Sequence, residues 1–135
     1  MSDTRDELEA IRARKRDAIL QRTDEPPSTD APIEITDPAH FDEVTGSHPV
    51  VLVDFHAEWC GPCQMMAPTI DRLAGELEST FAKVDIDRHN ELANAYGIRS
   101  VPTLILFVDG EPVQQLIGLQ DEQSLRDVIA SHSNQ

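Results

Sequence analysis

A chain of 135 residues with 39% hydrophobic content is long enough to bury one core with an appendage and too short for two ordinary domains. Its 25 Asp and Glu against 11 Lys and Arg give a formal net charge of −14, which argues against nucleic acid or an anionic membrane as partner, since both need clustered cations. The acids are spread along the whole chain, which suits a protein kept solvated in a cytoplasm of high salt; an ordinary acidic soluble protein is the alternative.

The first twenty residues alternate charges and hold no apolar run of the kind a secretory signal needs, so the expected location is the cytoplasm. Thr4 with Glu7 three positions later has capping-box form and predicts a helix from about Arg5 to Arg22. Its apolar stripe of Leu8, Ile11, Ala18 and Ile19 is interrupted by Lys15, and Arg12, Arg14, Lys15 and Arg16 cluster beside it. That composition fits a solvated helix or a docking arm. Thr23 to Pro32 is rich in proline and acid without periodicity, which marks a linker, so residues 1–32 are read as helix plus linker and residues 33–135 as the folded domain.

From Ile33 strands and helices alternate. Ile33 to Thr36 predicts a short strand, and Asp37-Pro38 a cap with a first-turn proline opening a helix that ends near Gly46. Val50 to His56 is a continuous apolar run rich in β-branched residues, the mark of a central strand covered on both faces. A long helix follows from Cys60 to about Ser79, with Met65, Met66, Ile70, Leu73 and Leu77 as its apolar face and Pro68 predicting a kink. Further strands are expected over 81–86, 103–108 and 113–117, the last two joined by a turn at Asp109-Gly110. Helices are expected over 90–96, closed by Gly97, and over 122–131, capped by Asp121. This order predicts an α/β sandwich, a mixed central sheet flanked by helices. Asp85 and Asp87 read as a solvated strand end.

The chain's only two cysteines, Cys60 and Cys63, straddle Gly61-Pro62 where a strand hands over to a helix. At that point free backbone N–H groups and the positive end of the helix dipole stabilise a thiolate, the species that attacks disulfides. Cys63, one turn further, is close enough to bond Cys60 but faces inward, so Cys60 is the first attacker and Cys63 the resolving thiol. Gly61 lets a partner backbone approach, and Pro62 stiffens the loop without losing a hydrogen bond. Two other readings stand beside this one. A zinc site would need two more soft ligands, and the five histidines are scattered without paired spacing; inert buried cysteines would be expected on an apolar face instead of an element junction.

Asp54 lies inside the apolar run Val50 to His56, where burial penalises its charge and raises its pKa toward neutrality. A carboxyl poised there can take the proton of Cys63 as it becomes a nucleophile and return it later, which makes Asp54 the candidate general acid/base. Lys83, the only lysine besides Lys15, sits in the strand FAKVDI and is the natural charge partner. The alternative is a purely structural Asp54–Lys83 ion pair.

The segments VVLVDFHAEWCGPCQMMAP, KVDID and YGIRSVPTLILFVDGE, followed by Gly118, resemble the thioredoxin family in the order expected of it, over about Ile33 to Ile129. The resemblance implies the three-layer thioredoxin fold and a protein-disulfide reductase with no bound cofactor and no metal. It also implies a thioredoxin-reductase-type electron donor, disulfide-containing target proteins and a monomeric state. Val101-Pro102 matches the family's cis bond, opposite the cysteines, where the Val101 backbone pairs with an extended substrate. Trp59, Gly61, Pro62, Gly97, Val101, Pro102 and Gly118 would form an apolar patch around Cys60. Two positions depart from the common pattern. His56 stands where many members carry an aromatic, as either a redox-tuning imidazole or a partly buried polar substitute; Gln64 stands where a lysine is frequent, which removes a cation favouring the thiolate. The same residues would also serve a disulfide oxidase or isomerase, from which Gly61-Pro62 argues away, and a non-catalytic interaction module remains a third expectation.

Overall fold

A computed structural model describes residues 31–133; the helix expected over residues 5–22 and nearly all of the linker expected over residues 23–32 lie outside them. Short caps set where each helix begins. The Asp37 carboxylate accepts the His40 N–H at 2.7 Å ahead of Pro38, opening α1 (Pro38–Ser47), and Asp121 accepts the Ser124 N–H at 2.8 Å at the start of α4 (Glu122–Ser133). Between them α2 spans Gly61–Glu76 and α3 spans Asn90–Ala95. α3 stops where Gly97 adopts φ +69° and the Ile98 N–H reaches back to the Ala93 carbonyl at 2.9 Å.

The strands β1 (Ile33–Glu34), β2 (Val50–His56), β3 (Thr80–Asp85), β4 (Thr103–Val108) and β5 (Glu111–Ile117) form one five-stranded sheet in the order β1-β3-β2-β4-β5. β1, β3 and β2 are parallel and are joined by helical crossovers, while β4 runs antiparallel to β2 and turns into β5 through Asp109 and Gly110. The mixed sheet and the central place of β2 are therefore as the sequence predicts. β5 is an exposed edge whose Pro112 lacks a ladder donor, a feature that discourages pairing with another chain.

Period-two alternation divides the strands between two cores. Val51, Val53 and Phe55 pack with Phe41, Val44 and Leu92 under α1 and α3, while Val50, Leu52, Phe81, Leu104 and Leu106 pack under α2 and α4. Several boundaries differ from expectation. β1 pairs over two residues only, and β5 begins at Glu111 because the tight turn lets pairing start at once. α2 ends at Glu76, where Leu77 turns to extended backbone so that β3 can begin at Thr80. Met65 is 69% exposed instead of belonging to the apolar face, since Met66, Ile70 and Leu73 at i, i+4 and i+7 already fill that stripe.

Candidate functional site

β2 ends at His56, and the loop Ala57-Glu58-Trp59 delivers Cys60 to the N-cap of α2. The Cys60 N–H donates to the Ala57 carbonyl at 3.2 Å, and the Cys63 N–H donates to Cys60 Sγ at 3.1 Å. Gly61 and Pro62 form the first helical positions, so the proline's missing N–H costs nothing. Cys60 and Cys63 are joined by a disulfide with Cα atoms 5.2 Å apart. In this state the two cysteines are almost equally covered, 4% and 5% exposed, so exposure does not separate attacker from resolver as expected from sequence. Their positions differ: Cys60 is the N-cap of α2 and its sulfur accepts the Cys63 N–H, while Cys63 lines a cleft.

That cleft, about 430 Å³, is lined by Asp54, His56, Cys63 and Lys83 among others. Asp54 is 2% exposed, and strand register fixes its neighbours: Lys83 lies opposite it on β3 and Leu104 on β4, with Glu34 on β1 flanking Lys83. Burial raises the Asp54 pKa from the usual 3.8 to about 6; the Lys83 ammonium opposes the rise and Glu34 adds to it. The ion pairs of the described residues are Arg72–Glu122, Arg88–Asp85, Arg126–Glu76 and Arg126–Glu122. None joins Asp54 to Lys83, so the alternative of a contact ion pair is not realised and Lys83 acts on Asp54 across the strand spacing. Asp54 Oδ1 and His56 Nε2 are both buried without a hydrogen-bond partner, and burial first, then Lys83, holds the imidazole below its ordinary pKa.

On the outer side, Trp59 is 67% exposed and its Nε1 donates to Asp87 Oδ2 at 2.9 Å. The Asp87 N–H in turn donates to Asp85 Oδ1 at 2.9 Å; Asp85 is buried, unlike the solvated strand end expected from sequence, while Asp87 is exposed as expected and braces the tryptophan. Val101 packs against the cluster of Ala57, Cys60 and Cys63, and the Val101–Pro102 bond is cis. Pro102 is itself buried, with its carbonyl accepting the Gly118 N–H at 2.9 Å, so it supports the rim from beneath while Gly61, Pro62 and Trp59 are exposed. Gly118 needs its glycine for φ +93°, and a Cβ at Gly61 would meet nothing within 4 Å, which leaves that approach open. Gly97 is exposed, and its positive φ at the end of α3 accounts for it without reference to the cysteines.

The residues that sequence reasoning missed are Asp87, Glu34, Ile117 and Leu119. Ile117, 65% exposed, and Leu119 flank Gly118, and Ile117 pairs with Thr103, next to Pro102. An apolar residue on the solvent side at the last position of an edge strand was the available signal. Gln64, read only as a lost cation, ties its amide to the Glu58 carbonyl at 2.7 Å and so holds the loop before Cys60. A separate groove, about 490 Å³ between Pro49, Leu77 and α4, lies at the opposite end of β2 and holds no cysteine. Among the described residues no group of three or more His, Cys, Asp or Glu is placed to hold a metal ion, and no helix is long and apolar enough to cross a membrane.

The family model described as Thioredoxin matches residues 31–131. A thioredoxin of Chlamydia pneumoniae is 43% identical over 102 residues, covering 75% of this chain and 99% of that protein. A bifunctional thioredoxin reductase/thioredoxin of Mycobacterium leprae is 43% identical over 95 residues, 69% of this chain and 21% of that one. Among solved structures, a mutant thioredoxin from Halobacterium salinarum NRC-1 superposes with a TM-score of 0.79 at 46% identity, covering 82% of this chain and 97% of the other.

Proposed function

The chain belongs to the thioredoxin family, and from that premise we propose how its residues divide the work of reducing protein disulfides by dithiol-disulfide exchange through Cys60 and Cys63. The observation that carries the assignment is the Cys63 N–H directed at Cys60 Sγ, with Cys63 itself lining the Asp54 cleft. In the reduced protein Cys60 attacks one sulfur of a substrate disulfide; that bond breaks and its electron pair leaves on the second substrate sulfur. The resulting mixed disulfide is resolved when Cys63 gives its proton to Asp54 and attacks Cys60, releasing the other substrate sulfur as thiolate. Two electrons have then passed to the substrate, and the Cys60–Cys63 disulfide remains.

Lys83 keeps Asp54 within reach of neutral pH by opposing the effect of burial. Trp59, Gly61, Pro62, Val101, Pro102 and Gly118 form or support the surface that takes an extended substrate segment, and Gly97 lies at its margin. The cysteine pair is the electron carrier, so no bound cofactor or metal enters the cycle. A thioredoxin-reductase-type donor returns two electrons, a reading supported by the similarity to the reductase/thioredoxin of Mycobacterium leprae. Residues 33–135 act as a monomeric catalytic domain in the cytoplasm. The charge of −14 and the similarity to the Halobacterium salinarum thioredoxin support adaptation to high salt.

Insulin reduction driven by dithiothreitol tests the reading. The protein should speed precipitation of the insulin chains and Cys60→Ser should abolish the effect. An interaction module would show no dependence on Cys60.

A further inference from the structure

We propose that His56 is the proton relay between Asp54 and solvent during resolution of the mixed disulfide. The inference rests on the exchange reading above and adds a residue to it. Asp54 and His56 stand two positions apart on β2, so their side chains emerge on the same face about 6.6 Å apart along the strand. Both line the same cleft as Cys63, and each holds a buried polar atom, Asp54 Oδ1 and His56 Nε2, that no protein group satisfies. Leaving a buried donor or acceptor unsatisfied costs about 1–3 kcal/mol, a cost that one group exchanging hydrogen bonds with the other across the cleft removes. The cleft, about 430 Å³, leaves open space beside both side chains.

Asp54 is sealed on the sheet side by Leu104 and Lys83, whereas His56 is only half-buried at the strand's end. A proton accepted by Asp54 therefore leaves most directly through the imidazole. As Cys63 Sγ attacks Cys60 Sγ, the bond from Cys60 to the substrate sulfur breaks and its electron pair departs on the substrate. The Cys63 thiol proton goes to the Asp54 carboxylate, crosses the cleft to His56 Nε2, and passes from the ring to solvent. When the donor reduces Cys60–Cys63, the path runs inward. The groups that face the ring are Lys83 and Asp85 on β3, Glu34 on β1, Glu58 in the preceding loop, Asp54 beside it and Cys63 on α2. Burial and Lys83 outweigh the carboxylates and keep the imidazole neutral near pH 7, the form able to accept.

The relay is tested on a preformed mixed disulfide between Cys60 and an aromatic thiol whose release is followed by absorbance, in weakly buffered solution at pH 7. His56→Ala should release the thiol about tenfold more slowly than wild type, and added imidazole should restore the rate while leaving wild type unchanged. His56→Gln, which retains polarity and bulk but cannot carry the proton, should be slowed alike and keeps the test valid if the alanine variant unfolds. A His56→Ala rate indifferent to imidazole, or a His56→Gln rate equal to wild type, overturns the relay while leaving the exchange reading intact. A wild-type protein that neither resolves the adduct nor reduces insulin removes the exchange reading itself.

Discussion

On the sheet face covered by α2 and α4, Leu52, Phe81, Leu104 and Leu106 are sealed beneath Met66, Ile70, Leu73, Leu125 and Ile129. Two residues further along β2 and β3, the same inward positions carry Asp54 and Lys83, with Glu34 beside them on β1. Both regions use the same alternation, the same strands and the same covering helix. They differ in what stands above them: the body of α2 over the first, and its first turn, with Cys63 and the cleft, over the second. The difference shows how one strand can serve stability at one end and proton chemistry at the other, with the energetic cost of the polar end confined to a few residues.

The contrast predicts opposite responses to substitution. Leu52→Ala, in the apolar half, should lose about 2–5 kcal/mol of stability in denaturant unfolding while insulin reduction per folded molecule stays unchanged. Loss of activity in the folded Leu52→Ala protein would break the division. Asp54→Asn should do the reverse, gaining stability and slowing resolution. With a folded pKa of about 6 against 3.8, the native carboxyl holds its proton where the unfolded one has already ionised. Its contribution to stability is thus fully present below about pH 3.8 and falls by roughly 3 kcal/mol as pH rises through 6. Asp54→Asn lacks this loss, so its advantage over wild type should be absent near pH 4 and widen up to pH 7. A stability difference that does not change with pH would contradict the burial of an ionisable Asp54.

Much of this architecture is legible in the sequence because its signals are local. The valine-rich apolar run from Val50 to His56, the caps Asp37 and Asp121 and the glycine after α3 each specify an element from a handful of neighbouring residues. Cys60 at a strand-to-helix junction and Asp54 in an apolar strand stood out for the same reason: each breaks a local pattern. What was not legible depends on register between distant segments. Glu34 reaches the site only because β1 pairs with β3 so that Glu34 aligns with Lys83, and Asp87 matters only because Trp59 folds back 28 residues to meet it. The exposure of Met65 and the equal coverage of the two cysteines likewise follow from packing that helical spacing alone does not resolve.

Alkylation of the reduced protein reads out whether the two sulfurs are unequal. With iodoacetamide at pH 7, Cys60 should be modified faster than a free thiol in solution because the α2 N-terminus lowers its pKa, while Cys63 stays largely unmodified. Equal modification of the two cysteines, or a Cys60 rate no greater than that of the free thiol, would contradict it.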